Sequence, residues 1–271
     1  MKQAIVKGLS HLAPQIAAQM AYQMWTKTKH YERPQRELAC HEQARRQLLS
    51  IKQQQIVVYR WGSGPRILML HGWNGRASQM FVQINALISA GFEVIAFDQP
   101  GFGGSEGKHS GLLPIKAALE LVVKQYAPFE SIIAHSFGFL VAINSNPPLL
   151  TKSLIGIAPP ASFNWLLDGF STLENLSPVS SNRLKHFVCE KYRISTLDEI
   201  SIKHLGAQLK TIRGMILYDQ NDNKVPRQQI DEIMQFWPEA VLKETKGLGH
   251  TRILYDEPLA QFIVNFLKEI L

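Results

Sequence analysis

A chain of 271 residues, 45% hydrophobic, is long enough to bury one large core or two smaller ones and belongs with globular proteins. Its two cysteines, Cys40 and Cys189, exclude a disulfide framework and lie in no metal-binding spacing, which suits a reduced, cytoplasmic setting. The net charge of +7 is uneven: residues 1–55 hold nine Lys/Arg against three acids, so the remainder of the chain is nearly neutral.

The apolar positions Ile5, Leu9, Leu12, Ile16 and Met20 recur at three- and four-residue steps and predict a helical stripe, kinked or broken at Pro14. Lys7, His11 and Pro14 interrupt what an export signal would need as a continuous apolar segment, and no run in the chain reaches the roughly 18 to 20 residues of a spanning helix. A second helix is expected over residues 37–49, completing an N-terminal helical arm, residues 1–53. Its stripe needs a partner: the body of the protein, another subunit or lipid. Docking on the body is the simplest reading; peripheral membrane binding and self-association are the others, and no nucleic acid is expected.

Strand character begins at Ile56-Val57-Val58-Tyr59, and after the turn cluster Gly62-Ser63-Gly64-Pro65 comes the fully apolar run Ile67-Leu68-Met69-Leu70. It ends at His71-Gly72-Trp73-Asn74-Gly75. A helix over residues 79–90, a strand over 92–97 running into Asp98-Gln99-Pro100-Gly101-Phe102-Gly103-Gly104-Ser105, and a helix over 112–126 follow. Another strand and helix surround Ser136, the helix reaching Asn146-Pro147-Pro148; then come a strand over 154–158, a helix over 227–237, strands over 215–218 and 240–244, and a last helix over 257–271. Continuous apolar strands alternating with helices predict an α/β fold with a mostly parallel, doubly wound sheet. The alternation stops over residues 161–209, which read as a helical insertion carrying Trp165, Leu166, Phe170, Phe187 and Tyr192. The expected organisation is therefore an arm (1–53), an α/β core (54–160 and 210–271) and a small cap (161–209).

The stretch Ser131-Ile132-Ile133-Ala134-His135-Ser136-Phe137-Gly138 is a strand-length apolar run ending at a serine with a small residue two positions away on each side. That is the pattern of a nucleophile elbow, in which a sharp strand-to-helix turn lifts the serine hydroxyl above the sheet; the usual form is G-x-S-x-G, with Ala134 here in the first glycine position. Asp222 lies just past the strand over 215–218, and His250 just past the one over 240–244. Loops at the carboxyl ends of such strands gather at one edge, so Ser136, Asp222 and His250 can meet there.

These residues carry a family resemblance. From about residue 54 to the end, the chain resembles the α/β-hydrolases through His71-Gly72-Trp73, Asp98-x-Pro100-Gly101-x-Gly103-x-Ser105, the elbow, and the late Asp222 and Gly249-His250, all in the family's order. The nearest likeness is to small bacterial members without a large lid. The resemblance implies acyl transfer by a Ser136–His250–Asp222 triad. It also implies an oxyanion hole from the backbone N–H groups of Trp73 and Phe137. No cofactor and no metal are expected; the substrate would be a small-molecule carboxylic ester or thioester. A carbon–carbon bond hydrolase or amidase in the same site, and a slowly turning-over ligand-binding or signalling protein, are the alternatives.

Neighbouring residues have plainer readings. His71 and His135 are expected to be structural, His135 because strand alternation turns it away from the apex. Asp219 competes with Asp222 as the acid partner, Asp98 reads as a loop-structuring residue, and Arg76 and Arg252 flank the expected site as solvated arginines or as recognition groups for an acidic substrate. Cys189 reads as a small buried apolar residue.

Overall fold

The computed structural model describes residues 2–145 and 151–270. In chain order these form helices α1 (Lys2–Leu12), α2 (Pro14–Thr26) and α3 (Gln35–Gln43), then strands β1 (Arg45–Ile51), β2 (Gln54–Trp61) and β3 (Arg66–Leu70). Helix α4 (Phe81–Ser89), β4 (Glu93–Phe97), α5 (Leu112–Tyr126), β5 (Ser131–His135), α6 (Phe137–Ile143) and β6 (Ser153–Ile157) follow. The insertion contains α7 (Phe163–Leu173), α8 (Pro178–Tyr192) and the short α9 (Ile202–Leu205); β7 (Arg213–Asp219), α10 (Arg227–Phe236), β8 (Val241–Thr245), α11 (Gly249–Arg252) and α12 (Glu257–Ile270) complete the chain.

The strands make one eight-stranded sheet in the order β1-β2-β4-β3-β5-β6-β7-β8. Both pairings of β2 are antiparallel, and every pairing from β4 to β8 is parallel. Alternate side chains of the central strands enter two separate cores. Leu68, Leu70, Ile132 and Ile216 join the core with α5, α6 and the insertion, while Ile67, Met69, Ile133 and Met215 join the one with α4 and α12. Apolar residues at every position are the requirement of parallel strands covered on both faces.

The chain breaks between α1 and α2 at Ala13–Pro14, where proline opens the new helix at its first turn. Helix α2 packs along α8, and its Ala18 and Ala21 enter the first core. The helix expected over residues 37–49 requires correction: α3 ends at Gln43, Ala44 is extended, and residues 45–51 pair antiparallel with β2. The arm is therefore not wholly helical. The strand is an edge whose side chains are mostly exposed, so it lacks the apolar alternation that announces a strand, and pairing with β2 overrides the helix preference of Arg, Gln and Leu. After the serine turn, α6 ends at Ile143; Asn146, Pro147 and Pro148 lie outside the described residues.

Candidate active site

β5 ends at His135 and α6 begins at Phe137, so the whole reversal falls on Ser136, at φ 50° and ψ −124°. A non-glycine residue in that region is strained by about 1–3 kcal/mol, held there by the wholly buried strand and helix on either side. The small residue two positions on is a packing requirement: a Cβ on Gly138 would lie 2.8 Å from the carbonyl oxygens of both Leu70 and His71. Helix α6 can thus start directly against the end of β3.

His250, in the one-turn α11, joins the other two residues. Its Nδ1 donates to Asp222 Oδ2 at 2.7 Å, and its Nε2 accepts from the Ser136 hydroxyl at 3.0 Å. Asp222 is fixed in turn, since its Oδ1 accepts from the N–H groups of Lys224 (2.7 Å) and Val225 (2.9 Å). A carboxylate with a fully covered side chain thereby has both oxygens satisfied, and it selects the imidazole tautomer that leaves Nε2 free to take a proton. Asp219, the competing acid, does not touch the imidazole; it accepts from the N–H groups of Asn221, Leu248 and Gly249 and from the Thr245 hydroxyl, at 2.8 to 2.9 Å. Burial pushes its pKa up, but these donors outweigh burial and hold it below the usual carboxylate range. It shapes the loop that presents His250.

The loop after β3 leans directly on the serine turn. A Cβ on Gly72 would fall 2.8 Å from His135 Nδ1 and 3.0 Å from Ser136 Cβ, so only glycine permits this approach. His71 is buried and secures the loop: its Nε2 accepts from the Gln99 N–H at 3.0 Å, its Nδ1 donates to the Gly72 carbonyl at 2.8 Å, and the Gln99 amide donates to the His71 carbonyl at 2.7 Å. Burial holds its pKa low, keeping the ring neutral. Among the described residues, the backbone N–H groups of Trp73 and Phe137 have no acceptor within the chain. Asp98 is a structural hub, buried and accepting from the Tyr59 hydroxyl and the N–H groups of Ala77 and Gly104.

Three expectations change. His135 does not turn away: its Nε2 donates to the His250 carbonyl at 3.1 Å and its ring centroid lies 4.9 Å from that of His250. His135 is the last residue of β5, and the loop that carries His250 packs against it. Desolvation, reinforced by His250, pushes its pKa down to about 3, so the ring is neutral. Arg76 is neither solvated nor available to a substrate, being buried in a bidentate pair with Glu37 of α3 at 2.6 and 2.7 Å. Cys189 is half-buried beside a surface groove with Lys185 and His186. Arg252 stays exposed and donates to the Gly247 carbonyl.

One residue of the site escapes the sequence reading. Trp25 of α2 stacks on Trp73, with centroids 5.9 Å apart and planes 18° apart, and meets Phe163 and Phe170 of the insertion edge-on. Trp73 in turn meets Phe102 and Phe137 edge-on. The available signal was the spacing Ala18, Ala21, Trp25, which continues the inner face of α2, but alanines give a faint stripe. Among the described residues, no group of three or more His, Cys, Asp or Glu is arranged to hold a metal ion.

The sequence model of the alpha/beta hydrolase family matches residues 67–263, most of the chain. The chain belongs to the alpha/beta hydrolase family. Solved structures agree on the hydrolase fold. An esterase from Pyrococcus furiosus is 19% identical with a TM-score of 0.66, the match covering 90% of this chain and 99% of that one. A putative lipase from Acinetobacter baumannii AYE is 18% identical with a TM-score of 0.62, covering 89% and 98%. The thioesterase domain from the curacin biosynthetic pathway is 16% identical with a TM-score of 0.60, covering 83% and 99%. The family match begins at β3, so α1 to α3 lie outside the part of this hydrolase that it covers.

Proposed function

We propose that the protein is a cofactor-independent serine hydrolase that cleaves carboxylic esters or thioesters through an acyl-enzyme. The observation that carries this reading is the single imidazole of His250 bridging the Ser136 hydroxyl and the Asp222 carboxylate. In the first half-reaction His250 Nε2 takes the hydroxyl proton as Ser136 Oγ attacks the substrate carbonyl carbon, and the imidazolium is stabilised by Asp222. The resulting oxyanion would accept from the free N–H groups of Trp73 and Phe137. As the tetrahedral intermediate collapses, the bond to the alcohol or thiol breaks and His250 returns its proton to that leaving group. Water then repeats the sequence on the acyl-serine, releasing the acid and restoring the hydroxyl.

The surroundings favour an apolar acyl group, since Trp73 is in ring contact with Trp25, Phe102 and Phe137. Esterase, lipase and thioesterase functions among the proteins of similar fold agree with this class of reaction. The test is intact-mass analysis after exposure to a fluorophosphonate. One adduct on the wild type and none on Ser136→Ala supports an activated serine; a folded wild type that stays unlabelled overturns the reading.

A further inference from the structure

Among the described residues nine large apolar side chains are exposed, and five of them lie on α1 (Ile5, Leu12), at the start of α2 (Ile16), at the end of α7 (Leu173) and at the start of α8 (Val179). The corner between α1 and α2 is fixed rather than loosely attached. Ser10 is fully buried; its carbonyl accepts from the hydroxyls of Ser177 (2.6 Å) and Ser180 (2.7 Å), and its hydroxyl accepts from the Ser177 N–H. The last turn of α1 is thereby clamped to the start of α8, which brings the corner between α1 and α2 to the junction of α7 and α8.

Helix α1 buries a narrow face and leaves an apolar one exposed. Val6 and Ser10 point into the protein and are fully buried. Ile5 and Leu12, two turns apart on a different face, remain in water, Leu12 at 86% exposure, as does Leu173 at the end of α7, at 68%. A surface helix of a globular protein buries its one apolar stripe and leaves the rest polar. An exposed apolar face beside basic groups is the pattern of a helix lying in a membrane interface.

The charge around the corner selects the partner. Residues 1–31 contain no Asp or Glu. Lys7 on α1 and Arg183, one turn beyond Val179 on α8, are exposed. Of the acids on α7 and at its end, Asp168 is paired with Lys185 and Glu174 is buried. We propose that the α1–α2 corner, together with the junction of α7 and α8, docks the protein on an anionic lipid surface, the aliphatic side chains entering the interface and the cations facing the headgroups. This surface is argued independently of any role for Ser136.

The experiment is co-sedimentation of the full chain with phosphatidylcholine vesicles and with mixed phosphatidylcholine–phosphatidylglycerol vesicles, at low and high salt. The expected result is binding to the mixed vesicles that weakens with salt. Leu12→Ser/Ile16→Ser/Leu173→Ser should lower the partition coefficient about tenfold or more with an unchanged circular dichroism spectrum. Lys7→Glu/Arg183→Glu should weaken binding to the mixed vesicles alone. Absence of wild-type binding, or binding that the triple serine variant retains, overturns the proposal. So does light scattering that shows a dimer broken by the same triple variant without vesicle binding, which would make the corner an interface between two copies.

Discussion

Below Ser136 and above it, the site is held by different forces. The floor, made of the loops at the carboxyl ends of β3, β5, β7 and β8, is a lattice of directed hydrogen bonds. Asp219 orders the His250 loop, Asp222 is pinned by two N–H groups, and His71 and Gln99 lock the loop carrying Trp73. The roof, made of α2 and α7, meets the Trp73 loop through aromatic contacts among Trp25, Trp73, Phe163 and Phe170. Hydrogen bonds fix positions to a fraction of an ångström, whereas aromatic packing tolerates repositioning. On the proposed function, the floor would carry the chemistry and the roof the fit to the substrate.

The most severe break of the floor is Ser136→Ala or His250→Ala. Either should lower kcat on a short acyl ester by on the order of 10⁴-fold or more, with the double variant no worse than the singles, because the residues act as a unit. A steady-state comparison of the three variants checks it. Next is Gly72→Ala, whose methyl group must displace either the His135 ring or the Trp73 loop. The expected loss is about 100-fold in kcat with little change in KM, the result of misplacing one oxyanion donor.

The roof predicts a smaller and differently shaped effect. Trp25→Phe should keep the fold while changing kcat/KM by about tenfold on long acyl chains and much less on acetyl esters. An equal loss on every chain length would move Trp25 from substrate fit to the support of the Trp73 loop.

The mildest test concerns the buried His135. Its pKa lies near 3 when folded against an ordinary 6.5, so below 6.5 the unfolded chain takes up a proton that the folded chain refuses. Stability should therefore fall as the pH drops from 6.5 toward 3, by at most about 1.4 kcal/mol per pH unit from this group. In denaturant titrations across that range, His135→Asn should show a shallower slope.

The family and its fold were legible in the sequence because they leave short local patterns at strand ends. The fully apolar strands and the small-x-Ser-x-small turn follow from what a covered strand or a tight turn allows, whereas the His-Gly-Trp loop and the order Ser136, Asp222, His250 were read from the resemblance to the family. The choice of Asp222 over Asp219 was not fixed by local pattern: Asp219 ends β7 and Asp222 lies three residues on, and only the packed arrangement of β7 against β8 turns one toward backbone N–H groups and the other toward the imidazole. The same holds for β1, whose exposed residues acquire a strand conformation only from the β2 edge, and for Arg76, whose partner Glu37 is 39 residues away. Trp25 is the furthest example. Its neighbours in the chain define a faint helical stripe, and its place over Trp73 exists because α2 docks on α8, a long-range contact that local sequence does not encode.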